Sequence, residues 1–156
     1  MMLKKETSDY LIQPNFYILV GDEENWKVSI EKRLWGFTER TKGSWNTTKP
    51  NDLLAFYVTK PIKKIIGFGI VTNKSITEDL VWMDEKRFKR SLWKYKIHFN
   101  TFYSCNDWKE GINISPTMFL QVSRKVIDKS TFLALVHEAD IKWNEKIYKS
   151  IKKLIK

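Results

Sequence analysis

The chain has 156 residues, with 28 Lys or Arg against 18 Asp or Glu, a formal net charge of +10. Hydrophobic residues at 42% and aromatics at 14% exclude a disordered chain and leave enough apolar surface for one domain with a core. One cysteine, Cys105, excludes a disulfide framework and a four-cysteine zinc site, and 6 Gly with 4 Pro exclude collagen-like and low-complexity classes.

Residues 1–14 read as an N-terminal extension and 15–156 as one domain, without internal repeats or a long polar linker. Asn15 to Val20 is a short, apolar, β-prone run, hence a buried strand. Gly21 breaks it. Asp22 then serves as an N-cap, with Glu23 and Glu24 favourable in the first turn. Trp26, Ile30 and Leu34 fall on one face of a helix spanning about Glu23 to Arg33. Thr38 to Thr48 lacks periodicity and reads as a loop, closed by a Lys49-Pro50-Asn51-Asp52 turn. Leu53 to Thr59 and Lys63 to Thr72 are further strands, the latter bulged or bent at Gly67 and Gly69.

Thr77 to Arg90 is ambiguous, with apolar Leu80, Val81 and Trp82 ahead of a charged stretch. Trp93 to Phe99 alternates rings or apolar residues with basic or polar ones, the period of a half-exposed strand. Thr117 to Val122 is another strand. Asn144 is expected to cap a last helix bearing Ile147, Ile151, Leu154 and Ile155, with Trp143 stapling its start. The element order predicts an α+β fold built on a small barrel.

No run approaches the ~18 apolar residues of a membrane span. The N-terminus carries no apolar signal core, and one free cysteine fits a reducing cytosol, so the expectation is a cytoplasmic protein with no membrane partner. Catalysis finds little support. His98, read as a surface or edge residue, and His137, read as a surface residue beside the core, are the two histidines; Cys105 has no nearby partner in sequence. Metal, nucleotide and redox motifs are absent, and no cofactor is expected. Acid pairs such as Asp84/Glu85 read as caps and solvated faces. The excess positive charge instead fits a polyanion partner or a lysine-rich solvated surface. The 7 Trp favour the former, since exposed rings stack on bases. Trp26, Trp93, Trp108 and Trp143 read as packing residues, whereas Trp35 and Trp82 end apolar segments beside polar ones.

Three blocks carry a resemblance: Val20-Gly21-Asp22-Glu23-Glu24-Asn25-Trp26, Leu34-Trp35-Gly36-Phe37, and Lys49 to Val58. With Ile65 to Val71 and the basic-aromatic Trp93 to Phe99, they resemble the EVE domain family over about Asn15 to Lys153. EVE domains are PUA-like and related to YTH domains. The resemblance implies a small β-barrel flanked by helices and an aromatic cage for a flipped, modified base, such as N6-methyladenine or 5-methylcytosine. By order and spacing it implies cage walls at Trp35 and Trp82, a hydrogen-bonding Asn25, backbone contacts at Gly36 and a third wall at Phe88. It also implies polar loop contacts from Thr38, Ser44 and Asn46. Asn51 stands where the family's turn usually has Gly, and Asn tolerates the same left-handed backbone.

Phosphate contacts are expected from Arg87, Lys89, Arg90, Lys94, Lys96, Arg124 and Lys125. The implied function is a non-enzymatic DNA- or RNA-binding reader, either free-standing or working with an NTPase/nuclease partner in a modification-dependent restriction system. The alternatives are a PUA-like RNA-binding domain indifferent to modification, and an ASCH-like hydrolase, whose Lys-and-acid pocket motif is not found.

Overall fold

Strand β1 (Phe16–Gly21) pairs in parallel with β3 (Leu53–Val58), Phe16 opposite Leu53 and Gly21 opposite Val58. Parallel pairs are covered on both faces and so read as unbroken apolar runs. Every residue from Phe16 to Val20 and from Leu53 to Val58 is buried. The computed structural model describes residues 11–115, 118 and 122–155. The remaining strands are β2 (Leu34–Phe37), β4 (Lys64–Ile76), β5 (Tyr95–Ser104) and β6 (Arg124–Ile127). They complete one curled, six-stranded sheet in the order β2-β5-β4-β3-β1-β6, with every other pairing antiparallel. The helices are α1 (Glu23–Lys32), α2 (Lys42–Thr47), α3 (Met83–Phe88), α4 (Lys129–Trp143) and α5 (Ile147–Lys152).

Alternation along the strands creates two cores. Phe16, Ile18, Val20, Leu53, Ala55 and Tyr57 pack against α4 and α5. Tyr17, Leu19, Leu54, Phe56 and Val58 face Trp26 of α1, Trp35 and Phe37 of β2, and Tyr95, Ile97 and Phe99 of β5. The second core, rich in rings, is the one that reaches the site described below.

Several expectations change. The Thr38–Thr48 loop contains α2. Its order comes from distant partners that no local period reveals. The Trp45 indole donates to the Lys96 carbonyl at 2.9 Å, and Arg124 donates to the Ser44 carbonyl and the Thr48 hydroxyl at 2.9 and 2.7 Å. Arg124 also lies 4.2 Å over the Tyr17 ring, so α2 is tied to both β5 and β6. Strand β4 runs on to Ile76 because β5 continues to pair with it there; the expected bend appears as register shifts after Phe68 and Val71. Strand β5 starts at Tyr95 rather than Trp93. His98 is not at an edge: β5 lies between β2 and β4, and Nε2 of His98 meets the Ser75 hydroxyl at 2.8 Å. Leu34 belongs to β2, so the covered face of α1 is Trp26 and Ser29.

Asn144 does not start the last helix. It ends α4 in the left-handed conformation (φ 54°), and α5 begins after Lys146. Trp143 therefore closes α4, packing on Tyr103 and donating to the Glu110 carbonyl at 2.7 Å. Ile147 and Ile151 are buried on α5, while Leu154 is exposed. The expected strand at 117–122 lies outside the described residues, apart from Met118 and Val122, neither of which is in a strand. Just before Pro14, Ile12 donates to the Leu154 carbonyl at 2.8 Å, joining the two ends of the described residues. No helix among the described residues is long and apolar enough to cross a membrane.

The Lys49–Asp52 turn matches its reading: Asn51 takes φ 77°. Asp52 is buried and accepts from the Asn15 and Lys49 amides at 3.0 and 2.8 Å, locking the turn to the start of β1. Asp52→Ala leaves both donors without that acceptor and should cost about 2 kcal/mol in chemical denaturation.

Candidate functional site

Helix α1 begins as its residues dictate. Asp22 caps it by accepting the Asn25 amide at 2.8 Å, and Arg33 closes it with φ 58°. That left-handed residue turns the chain directly into β2. Trp35 is thus a strand residue opposite Ile97. Its ring stacks on Trp26 at 4.4 Å and 27°, and the Trp26 indole donates to the Tyr57 carbonyl at 2.8 Å. Gly21 makes this possible, because a Cβ there would run into the Trp35 ring. The Trp35 Nε1 is buried without a hydrogen-bond partner among the described residues.

Trp82 precedes α3 and is buried, its indole donating to the Ser29 hydroxyl at 2.9 Å. This bond explains a serine on the covered face of α1. Trp93 meets Trp82 edge-on, with centroids 5.6 Å apart and planes at 73°. Both rings close on Gly36, where an added Cβ would strike the Trp93 Cβ and stand 2.9 Å from the Trp82 ring. Asn25, Trp35, Gly36, Trp82 and Trp93 line a cavity of about 30 Å³. That volume suits one water, far below the ~300–1,000 Å³ of ordinary ligand pockets. The pocket is narrow in this structure.

Trp35, Trp82, Asn25 and Gly36 are therefore brought together. Phe88 is not: it ends α3 with 64% exposure, and Trp93 occupies the wall expected of it. Trp93 was readable as a ring on the face shared by Tyr95, Ile97 and Phe99, but not as a pocket wall. Ser44 and Asn46 sit on α2 and Thr38 in the turn before it; none lines the cavity. A larger hollow, about 740 Å³ beside Pro61–Lys64 and Asn113–Ser115, contains none of the expected site residues.

The walls share one anchor that the sequence reading put among caps and solvated faces. Glu85 is buried. Its Oε1 accepts the Val81 and Trp82 amides at 2.9 and 3.2 Å, and its Oε2 accepts those of Leu92 and Trp93 at 2.9 and 3.1 Å. Burial alone would raise its pKa; the four amides outweigh burial and hold it below the ordinary carboxylate value. Asp84 does lie at the surface, bonded to Arg87 at 2.8 Å.

The cations divide sharply. Lys96 is buried, donates to the Thr77 carbonyl at 2.9 Å and stands 5.9 Å from the Trp82 ring; burial lowers its pKa. It therefore faces the interior, not a phosphate. Arg124 is spent on α2. Arg87 bridges Glu24 and Asp84, and Lys94 pairs with Glu39 at 3.5 Å, both at the surface. Lys89 and Arg90 are exposed at the end of α3, and Lys125 is half-buried on β6. Cys105 is buried and its thiol is pushed up to about 11, so it is not a nucleophile at neutral pH. His137 is exposed, stacked on Tyr148 at 4.1 Å.

No protein-family model matches the chain. A stretch of 50 residues is 34% identical to a UPF0310 protein of Pyrococcus abyssi (strain GE5 / Orsay), covering 32% of this chain and 35% of that protein. The match thus spans about a third of the relative's length. Among solved structures, the chain is similar to the YTH domain-containing protein Mmi1 in complex with RNA (TM-score 0.56, 10% identity, 85% of this chain and 88% of that one). The Pho92 YTH domain in complex with m6A gives a TM-score of 0.53 at 14% identity, over 82% and 85% of the two chains. The ASCH protein of Zymomonas mobilis gives 0.53 at 13%, over 79% and 95%. The fold is the α+β, PUA-like fold that YTH and ASCH proteins share.

Two outcomes follow from the packing. Gly36→Ala should push Trp93 and Trp82 apart and cost about 1–3 kcal/mol in thermal or denaturant unfolding. Because the folded pKa of Glu85 is lowered, its contribution to stability is present above the unfolded value of about 4.3 and is lost as the pH falls through the folded value. Unfolding midpoints from pH 7 down to pH 3 should therefore fall more for the native chain than for Glu85→Gln.

Proposed function

We propose that the protein is a non-enzymatic nucleic-acid-binding module of the EVE kind that takes a flipped, methylated base between Trp35, Trp82 and Trp93. The observation that carries this reading is the convergence of three indoles and Asn25 on a backbone stripped to glycine at Gly36. The fold shared with YTH domains, including one bound to m6A, supports it. N6-methyladenine is accordingly the first base to test, with 5-methylcytosine as the comparison.

The energetics are coherent. Flipping a base costs a few kcal/mol, and stacking on aromatic rings returns about 1–3 kcal/mol per base. A methyl group in an apolar pocket adds about 1–3 kcal/mol of discrimination, or roughly ten- to two-hundred-fold. Asn25 supplies the polar edge that distinguishes one base from another. Exposed Lys89 and Arg90, in the segment between Trp82 and Trp93, would supply phosphate attraction without sequence information. A cavity of about 30 Å³ is too small for a base, so binding requires the walls to part.

The internal engagement of the site's charges supports binding over hydrolysis. Lys96 is held by the Thr77 carbonyl, and both Glu85 oxygens are occupied by amides. Neither is placed to transfer a proton. A free-standing reader and the recognition part of a modification-dependent restriction system would use the same pocket; co-purification of an NTPase/nuclease partner with the tagged protein would favour the second.

The test uses matched single strands with and without one N6-methyladenine. Native protein should prefer the methylated strand by at least tenfold. Trp93→Ala and Trp35→Ala should remove the preference while salt-dependent binding of the plain strand persists. Equal loss for both strands in both variants would count against a cage.

A further inference from the structure

We infer that Glu85 is the positioning residue of the aromatic pocket: one buried carboxylate sets Trp82 and Trp93 relative to each other. The functional consequence rests on the base-binding reading above; the geometry does not. An N-terminal helix cap needs one or two bonds. Here Oε1 provides that cap, accepting from Val81 and Trp82, and Oε2 reaches across to Leu92 and Trp93. The Ser91 hydroxyl adds a long contact at 3.5 Å. An ionised carboxylate offers about four lone-pair sites, and here four amides fill them. Residues 81–93 thus form a loop pinched at its neck by a single side chain, with a pocket wall on each side of the pinch.

No neutral or shorter side chain reproduces this. Glutamine retains one acceptor oxygen, and its amide would face two donors. Aspartate is one methylene short of spanning both sides. Trp82 keeps a second tether through Ser29, whereas the Trp93 backbone N–H goes to Glu85. Trp93 is therefore the wall whose position depends most on the carboxylate. Two walls tied to one carboxylate keep their mutual arrangement when the pocket opens against Trp35, so less ordering has to accompany binding, which is where preorganisation raises affinity.

The experiment compares native protein, Glu85→Gln and Ser29→Ala by NMR of the tryptophan indole N–H groups without ligand, then measures binding to the methylated and plain strands. In Glu85→Gln the Trp93 and Trp82 indole signals should shift or broaden, while that of Trp26 stays in place. Preference for the methylated strand should fall about tenfold, with plain-strand affinity within about twofold. Ser29→Ala should move Trp82 alone.

Unchanged Trp82 and Trp93 signals in Glu85→Gln would overturn the inference. So would an equal loss of methylated and plain binding, the mark of a merely structural residue. Native protein without methyl preference, beside displaced indoles in the variant, would refute the base-binding reading and leave the positioning role standing. Should the variant not fold, amide hydrogen exchange on the native chain decides. Protection of Val81, Trp82, Leu92 and Trp93 together supports the pinch, and exchange at open-loop rates overturns it.

Discussion

The parallel pairing of β1 with β3 governs the rest of the molecule. Parallel neighbours cannot be joined by a hairpin; they need a crossover of a dozen residues or more. Here the crossover runs from Asp22 to Asp52 and contains α1, β2 and α2. It contributes Asn25, Ser29, Trp35 and Gly36 to the pocket or its support. The same pairing buries β1 and β3 on both faces, which demands a cover on each side. Helices α4 and α5 cover one side, and the ring-rich underside of the curled sheet covers the other. The pocket is the outer margin of that second cover, where Trp35 stacks on Trp26 and faces outward to Trp82 and Trp93.

The positive charge acquires a narrower meaning in this frame. A surplus of +10 by itself indicates only a polyanion partner or a solvated surface. Several of the basic residues nearest the aromatic segments serve the fold instead. Lys96 is buried under Trp82, and Arg124 ties α2 to the sheet. Surface pairs such as Arg87 with Glu24 contribute little to stability. They still reduce the positive field available at the pocket rim. Of the expected phosphate contacts on this segment, Lys89 and Arg90 are exposed and lie in sequence between Trp82 and Trp93.

Legibility followed the range of the interactions. The β1 and β3 runs, the Asp22 cap and the Asn51 turn were readable because hydrophobic continuity, capping and backbone conformation are local. Their positions at the ends of apolar segments set Trp35 and Trp82 apart from the packing tryptophans, but only the family resemblance placed them, with Gly36 and Asn25, in one pocket. Helix α2 was missed because its order depends on Arg124, 80 residues from Ser44. The capping role of Glu85 was readable, but its burial and its reach to Leu92 and Trp93 were not, because in sequence a carboxylate that collects distant amides looks like any acid in a charged stretch. Helix α4 is a different case: Phe132, Leu135, Val136 and Ala139 carry a helical period that was there to be read, and Asn144 was assigned to the start of the following helix instead of the end of this one.

The central claim is that the narrow aromatic pocket opens to accept a methylated base. Titration of isotopically labelled protein with the free nucleosides N6-methyladenosine and adenosine, followed by NMR, tests it without any contribution from phosphate. The account predicts saturable shifts concentrated at Asn25, Gly36 and the indoles of Trp35, Trp82 and Trp93, reached at lower concentration with the methylated nucleoside. Equal responses to the two nucleosides, or shifts confined to the lysine-rich surface with the pocket silent, would contradict it.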